Sequence, residues 1–582
     1  MDFDANTQKN IDSWLNGQYE EKIKQEIQRL IKENPQELKN AFFKKLSFGT
    51  GGARAIMGIG TNRLNKYTIR ALSHALALYL KKSFPQTKIS VLIGFDNRNN
   101  SQEFAQEAAC TLAASGIQVY LFSELRPTPL VSFGCRYKKC QAAIMITASH
   151  NTPEYNGYKV YWQGGAQILS PHDQNILLEL DKIKDPSTIK IAAPNDPLIQ
   201  KILEEVDQAY LKELQTVNNY PEIVKKEGSK LKILYTNLHG TGITLLPKAL
   251  KDFGFTDFSL VEKQAATDGN FPFAPLPNPE EKKALEMGIH ELEAKKYDLL
   301  LATDPDADRI AAVVLHQDQA VIFSGNQIAS LLVHHILKTL IKQKKLPKNG
   351  FCVKSIVTTE LFKAIVSDLK VECCNVLTGF KYIAEKIARL EGQRPFIFGA
   401  EESLGYLYKD FVRDKDSIIA AYLIAEMALL AKLEGKTLVD LLEELYQTYG
   451  LFREKLFSIK FTEGQEGLEQ MQKTMQKLRS APPTKINKIP ITVTEDYLSS
   501  QKDNLKLKTS TFLTLPKSNV LSFWLDDESK IIIRPSGTEP KIKVYLGVKE
   551  IVTKENLKSK IASADQKLEM LEKAIEQMLL KK

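Results

Sequence analysis

Four times along the chain, a short run of apolar or β-branched residues gives way to a polar segment dense in functional groups. The runs at 142–146, 298–302, 395–398 and 530–533 predict strands, and the polar segments after them begin near Thr147, Asp304, Glu401 and Arg534. Apolar residues at helical spacing predict helices over 102–114, 327–342 and 418–431, so strands and helices alternate. That alternation implies an α/β architecture with parallel strands, in which ligands sit beyond the carboxyl ends of the strands. The four polar segments are therefore candidates to face one cleft. No strict short-period repeat is present, and the spacing suits several related α/β units in series. The polar, helix-like stretch 463–487 opens a last domain of different build. The Lys-rich tail 554–582 carries Leu557, Ile561, Leu568, Leu571, Ile575 and Leu579 at helical spacing, which predicts a packed amphipathic helix with a wet basic face. Breaks near 205, 325 and 450 divide the chain into 1–205, 206–325, 326–450 and 451–582.

Composition narrows the class. A chain of 582 residues exceeds what one hydrophobic core supports, and 43% hydrophobic with 26% charged residues is ordinary for globular domains. The first residues are acidic and lead into no apolar run, and the apolar stretch 420–431 is interrupted by Glu426 and too short for a bilayer, so the expectation is a cytoplasmic protein without a membrane role. The net charge of +9 comes from 79 basic and 70 acidic residues spread along the chain without an aromatic platform, which argues against a nucleic-acid partner. Six cysteines lack the paired spacing of a disulfide framework or zinc site and read as buried thiols.

The first polar segment, Thr147-Ala148-Ser149-His150-Asn151, precedes Tyr155-Asn156-Gly157-Tyr158-Lys159 and gathers a hydroxyl, an imidazole, amides and an ammonium. It lacks the glycines of a G-x-S-x-G elbow; a polar turn would account for the same residues. In Asp304-Pro305-Asp306-Ala307-Asp308-Arg309, three carboxylates at alternate positions can converge on one hard cation. Arg309 and Leu315 stand where an EF-hand needs glycine and glutamate, and Mg2+ suits a site that leaves room for a phosphate oxygen. The third segment, Gly399-Ala400-Glu401-Glu402-Ser403-Leu404-Gly405, followed by Arg413-Asp414-Lys415-Asp416, suits sugar hydroxyls, although a helix start capped by Ser403 explains it nearly as well. The fourth, Arg534-Pro535-Ser536-Gly537-Thr538-Glu539-Pro540-Lys541-Ile542-Lys543, has the makings of a phosphate cradle, with a plain hairpin turn at Ser536-Gly537 as the alternative. It is no Walker A loop, and Gly435-Lys436-Thr437 lacks the earlier glycine of one.

Taken in order, these segments resemble the α-D-phosphohexomutase superfamily, the phosphoglucomutases and phosphomannomutases. The resemblance extends to Phe48-Gly49-Thr50-Gly51-Gly52-Ala53-Arg54, Gly94-Phe95-Asp96-Asn97-Arg98, Leu238-His239-Gly240-Thr241-Gly242, Pro277-Asn278-Pro279-Glu280-Glu281 and Thr378-Gly379-Phe380-Lys381. The length, Gly60-Thr61-Asn62-Arg63 and the Thr-Gly-Phe-Lys segment are most similar to the branch containing phosphoglucomutase-2, phosphopentomutase and glucose-1,6-bisphosphate synthase. The resemblance implies three related α/β domains with mixed sheets, a smaller C-terminal α+β domain, and a central cleft. It implies a phosphoserine at Ser149, Mg2+ on Asp304, Asp306 and Asp308 together with Ser149's phosphate, and sugar hydroxyls read by Glu401 and Ser403. Arg534, Ser536, Gly537, Thr538 and Lys543 would hold the phosphate that is not transferred, and Arg54, His150, Lys159, Arg309, Lys381 and Lys415 would supply charge and proton transfer. Ala400, Ser417 and Ala53 depart from the common pattern, which weakens any transfer of sugar preference.

The activity so implied is interconversion of a sugar 1-phosphate and 6-phosphate, glucose foremost with mannose or pentose open, through a sugar 1,6-bisphosphate that also serves as activator. Phosphopentomutase and glucose-1,6-bisphosphate synthase remain enzymatic alternatives, and a sugar-phosphate-binding scaffold the non-enzymatic one. Small sugar phosphates are the expected partners, with monomer and dimer both open.

Overall fold

The computed structural model describes residues 3–49, 52–462, 465–537 and 540–580. They form two compact units, one of Met1–Ser324, Gly379–Gly399 and Ser403–Gly435, the other of Gly325–Thr378, Ala400–Glu402 and Lys436–Lys582. No described helix is long and apolar enough to cross a membrane.

In the first unit, six strands form one sheet: β1 (Ala53–Ile56), β2 (Ser90–Phe95), β3 (Gln118–Phe122), β4 (Ala142–Ile146), β5 (Tyr155–Trp162) and β6 (Ile199–Ile202), in the order β1-β5-β4-β2-β3-β6. β4, β2, β3 and β6 run parallel, whereas β5 returns antiparallel to β4 and pairs antiparallel with β1. The sheet is thus mixed. All of β4 is buried, as its unbroken apolar run demands of a central strand covered on both faces. Helices Lys66–Ser83 and Ser101–Ala114 bury leucines, isoleucines and alanines against this sheet.

The second sheet has the order β11-β10-β9-β7-β8, with β7 (Ile233–Thr236), β8 (Phe258–Leu260), β9 (Leu299–Thr303), β10 (Ile310–His316) and β11 (Gln319–Ile322). β7 pairs in parallel with β8 and β9, while β10 is antiparallel to β9 and β11. The carboxylate segment is consequently the turn of the β9–β10 hairpin. Helices Ala5–Asn16, Glu21–Glu33 and Pro35–Phe42 form a further cluster in which Trp14 stacks on Tyr19 at 4.4 Å and meets Phe42 edge-on at 5.4 Å.

The second unit contains β12 (Phe351–Ser355) and β13 (Glu372–Val376), a parallel pair. β14 (Phe396–Glu401) and β15 (Gly405–Tyr408) follow in the chain. Its C-terminal part is an antiparallel sheet of β16 (Leu451–Lys460), β17 (Lys485–Ile486), β18 (Ile489–Asp496), β19 (Gln501–Asn504), β20 (Thr509–Phe512), β21 (Leu521–Leu525), β22 (Lys530–Pro535) and β23 (Lys541–Glu550), in the order β16-β23-β22-β21-β18-β19-β20 with β17 on β18. Helix Leu557–Leu580 lays Leu557, Leu568, Leu571, Ile575 and Leu579 inward; Lys558 and Lys573 face water, whereas Lys560 pairs with Glu550 at 3.0 Å and Lys567 with Asp527 at 2.6 Å. Lys530 on β22 donates to Glu360 at 2.8 Å and to the Ile356 carbonyl at 3.1 Å, fastening the strand that ends in Arg534 to the segment after β12. The architecture is three α/β domains followed by a sheet-rich C-terminal domain.

Candidate functional site

Ser149 lies in the connection from β4 to β5, at φ 54°, a left-handed conformation that costs a residue with a Cβ about 1–2 kcal/mol. The cost is met locally: its N–H donates to Thr147 Oγ1 at 2.8 Å, and the Arg98 guanidinium takes up its carbonyl. The hydroxyl, 1% exposed by residue, donates to Asp304 Oδ2 at 2.7 Å and lies 3.2 Å from His150 Nδ1.

The carboxylate turn owes its position to Leu238-His239-Gly240-Thr241-Gly242. Thr241 donates to the Pro305 carbonyl through its N–H at 2.7 Å and its hydroxyl at 2.9 Å. The backbones approach so closely that a Cβ on Gly240 would stand 2.4 Å from Pro305 Cα and 2.6 Å from its oxygen. Gly240→Ala must therefore push the turn aside; a destabilisation of about 1–3 kcal/mol is expected, read as a lowered midpoint of thermal unfolding together with reduced turnover.

Asp304, Asp306 and Asp308 are buried with one carboxylate oxygen each within 4.8 Å of the others. Oδ1 of Asp304 accepts the N–H groups of Asp308 (3.1 Å) and Arg309 (3.0 Å). Oδ2 of Asp306 accepts Lys159 at 2.6 Å and the Thr128 hydroxyl at 2.8 Å. Oδ2 of Asp308 accepts Lys159 at 3.2 Å and pairs with Lys415 at 3.1 Å. The Oδ1 atoms of Asp306 and Asp308 are buried without a hydrogen-bond partner. Two unsatisfied carboxylate oxygens in one buried cluster carry a desolvation cost that a cation would relieve, so the donor set fits a hard divalent ion.

Titration behaviour follows from the same geometry. Burial, with repulsion from Asp306 and Asp308, holds Asp304 well above the usual carboxylate range. Burial also opposes the charge on Asp306, but Lys159 and the bonds to that carboxylate outweigh it and keep it low. Lys159 goes the other way: burial is overcome by Asp306 and Asp308, which raise it and keep it cationic. Burial and the nearby Arg309 and Arg54 depress His150 well below its ordinary value, so its imidazole is neutral at neutral pH. Arg54 on β1 donates to Asn151 Oδ1 at 3.3 Å, and Arg309 pairs with Glu280 at 2.8 Å. Lys415 also pairs with Asp414 at 3.0 Å and passes so close to Gly405 that a Cβ there would stand 2.3 Å from Lys415 Cδ. Ser149, His150, Lys159, Arg54, Arg309, Lys415 and the three aspartates thus belong to the first unit and share one charged cluster. Lys381, also of that unit, is half-buried at the start of helix Phe380–Leu390, its ammonium 5.8 Å from the Tyr382 ring.

In the second unit, Glu401 is buried at the end of β14. Arg534 on β22 pairs in register with Lys543 on β23, both half-buried. Ser536 donates its N–H to the Lys541 carbonyl at 2.8 Å, and Gly537 is exposed with open space where a Cβ would be. The segment expected to cradle phosphate joins antiparallel neighbours β22 and β23, as a hairpin connection does; Thr538 lies outside the described residues. Tyr545, beyond Lys543, is pushed up by burial and by Glu402, with Arg534 opposing.

Ser403 does not cap a helix: it lies in the turn between β14 and β15, because Gly405–Tyr408 continues as strand and the next helix begins only at Ser417, capped by Asp416. Three further residues shape the cluster. Thr128 bonds Asp306, Asp414 bonds Lys415 and accepts the Tyr161 hydroxyl at 2.8 Å, and Arg98 grips the serine segment. Arg98 had a sequence signal in Gly94-Phe95-Asp96-Asn97-Arg98 and Asp414 lay in the Arg413-Asp414-Lys415-Asp416 run, whereas Thr128 had none.

Family models described as Phosphoglucomutase/phosphomannomutase, alpha/beta/alpha domains I, II and III match residues 45–187, 208–317 and 324–449. The chain is 40% identical over 517 residues to a phosphoglucomutase of Staphylococcus aureus (strain bovine RF122 / ET3-1), covering 88% of this chain and 91% of that protein. It is 39% identical over 518 residues to the phosphoglucomutase of strain MRSA252, with the same coverage. Among solved structures, the fold is similar to a phosphoglucomutase/phosphomannomutase family protein from Burkholderia thailandensis, at TM-score 0.63 and 18% identity over 90% of this chain and 96% of that one. It is likewise similar to Paramecium parafusin, a phosphoglucomutase in open form, at TM-score 0.65 and 16% identity with the same coverage.

Proposed function

Because the chain belongs to the phosphoglucomutase/phosphomannomutase family and is an isomerase that works by phosphotransfer, we propose that it interconverts the 1-phosphate and 6-phosphate of a hexose, glucose foremost, through a phosphorylated Ser149 and a sugar 1,6-bisphosphate. The observation that carries this reading is the 2.7 Å bond between the Ser149 hydroxyl and Asp304, one of three buried carboxylates with cationic Lys159 among them.

Asp304, Asp306 and Asp308, with the phosphate on Ser149, would hold Mg2+; two unsatisfied carboxylate oxygens support that fit. When bound, the ion would neutralise phosphate charge and polarise the transferring group. The protein's own part is alignment. In the first half-reaction, a hydroxyl of the sugar monophosphate attacks phosphorus, the bond from phosphorus to Ser149 Oγ breaks, and the bisphosphate forms. The hydroxyl loses one proton and Oγ gains one, so a single carrier suffices. Neutral His150, with Nδ1 3.2 Å from Oγ, can serve as that carrier. Lys159, Lys415, Arg309 and Arg54 supply positive charge toward phosphate oxygens. In the second half-reaction, the reoriented bisphosphate presents its other phosphate to Ser149 and the same bonds exchange in reverse.

For the rest of the substrate, Arg534, Ser536, Gly537, Thr538 and Lys543 would take the phosphate at rest, a task suited to a guanidinium that binds two oxygens at once. Glu401 and Ser403, with Lys381, would meet sugar hydroxyls. The expected partners are small sugar phosphates in a cytoplasmic setting.

The test compares isomerisation of glucose, mannose and ribose 1-phosphates by purified protein with Mg2+ and a trace of glucose 1,6-bisphosphate. Glucose 1-phosphate is expected to turn over fastest. Glu401→Gln is expected to alter the ranking of the three sugars while leaving thermal unfolding near wild type. A protein that isomerises none of them would refute the proposal.

A further inference from the structure

Arg98 is 3% exposed, yet its guanidinium is turned toward main chain rather than toward any group in the charged cluster. It donates to the carbonyl oxygens of Ser149 at 2.6 Å, Thr152 at 2.9 Å and Tyr155 at 3.0 Å, and also to that of Asn151. Asp96, 3.5 Å away, balances its charge; Asp96 is itself held by the Arg98 N–H at 3.0 Å and the Ser101 hydroxyl at 2.7 Å. Burying a guanidinium costs several kcal/mol of lost hydration, which four carbonyls and a carboxylate together offset.

The guanidinium also lies over the Phe271 ring, 5.0 Å from its centroid. Phe271 belongs to a segment tied to Arg98's own loop: Asn97 donates to the Asp268 carbonyl at 3.1 Å, and Asn99 to Asn270 Oδ1 at 2.9 Å. That segment lies between β8 and β9, the strand that leads directly into the Asp304 turn. One side chain therefore grips the main chain at the serine and along the six residues after it, and rests on the part of the fold that supplies the serine's carboxylate partner.

We propose that Arg98 is a positioning residue for phosphoryl transfer, fixing the left-handed turn at Ser149 so that its Oγ meets Asp304. The inference rests on the reading of Ser149 as phosphoryl carrier. Four carbonyls around one planar centre call for the forked donors of a guanidinium; an ammonium has three donors on one compact atom. A misplacement of about 1 Å suffices to cost ~10²-fold in rate.

Arg98→Lys keeps the positive charge beside Asp96, and so the fold, but loses the fork. Its kcat with glucose 1-phosphate is expected to fall ~10²-fold, with KM within ~3-fold of wild type, because alignment in the transition state is lost rather than substrate affinity. In Arg98→Ala, added guanidinium ion is expected to restore part of the rate while leaving wild type unaccelerated. A folded Arg98→Lys protein with wild-type kcat, or one whose loss lies in KM alone, would overturn the inference, and this holds even if Arg98→Ala fails to fold. Wild type is assayed alongside: a wild type without turnover refutes the carrier reading itself, whereas an active wild type with an indifferent Arg98→Lys refutes only the positioning role.

Discussion

Ser149→Ala is expected to lose turnover with every sugar phosphate, by on the order of 10⁴-fold or more in kcat, because the oxygen that accepts and returns the phosphoryl group is gone. The substitution removes one buried hydroxyl. It leaves the Thr147 cap on the residue 149 N–H and the Arg98 grip on its carbonyl, both of which engage main chain. Asp304 keeps the N–H groups of Asp308 and Arg309 on its other oxygen. Thermal unfolding should therefore stay close to wild type, and intact-mass analysis should find the variant free of the phosphate that wild type carries after incubation with glucose 1,6-bisphosphate. Wild-type turnover by Ser149→Ala would show the nucleophile to be another group.

The second large effect is expected from Asp306→Ala. Its carboxylate neutralises Lys159 and accepts Thr128, and its remaining oxygen is one of the two buried without a hydrogen-bond partner. Removing one member of a buried ion pair leaves the other charge poorly compensated at a cost of about 3–5 kcal/mol. Asp308 still touches Lys159 at 3.2 Å, which limits the loss. The variant should unfold at lower temperature and lose most activity. It should also lose the rise in unfolding midpoint that Mg2+ is expected to give wild type, since an ion that binds only the folded state stabilises it by mass action. An Asp306→Ala protein whose midpoint rises with Mg2+ as wild type's does would remove Asp306 from the ion site.

Much of the architecture was legible in the chain because strand periodicity and burial speak through local residues. The run at 142–146 is a strand with those very bounds, as five apolar residues in series suit a strand covered on both faces. The helix expected over 327–342 begins two residues earlier. Among the described residues of the stretch 463–487, helix spans Gln465–Ser480 before β17 takes over at Lys485. The three aspartates at alternate positions announced a convergent carboxylate cluster, because like charges between two apolar strands need a partner.

What stayed hidden depends on contacts distant in sequence. Thr128 and Asp306 are 178 positions apart, and nothing in Pro127-Thr128-Pro129 announces a hydroxyl aimed at a carboxylate. Arg98 reaches carbonyls 51 to 57 positions away, and main-chain acceptors carry no side-chain signature. Ser403 misleads because Ser followed by apolar residues resembles a helix start, whereas Gly405 and the close passage of Lys415 favour a strand turn. The packing of Trp14 against Tyr19, Phe42 and Tyr67 was likewise unreadable, since helical periodicity reports that a face is apolar and not what covers it.

A single turnover decides whether Ser149 carries the phosphoryl group. Protein labelled with radioactive phosphate is mapped by peptide mass spectrometry, then mixed with unlabelled glucose 1-phosphate and Mg2+ and quenched at short times. If Ser149 is the carrier, the label sits on the peptide containing Ser149, leaves that peptide, and appears in glucose 1,6-bisphosphate at the same rate. Label on a different residue, or a labelled Ser149 that holds its phosphate while glucose 1-phosphate is isomerised around it, would contradict that role.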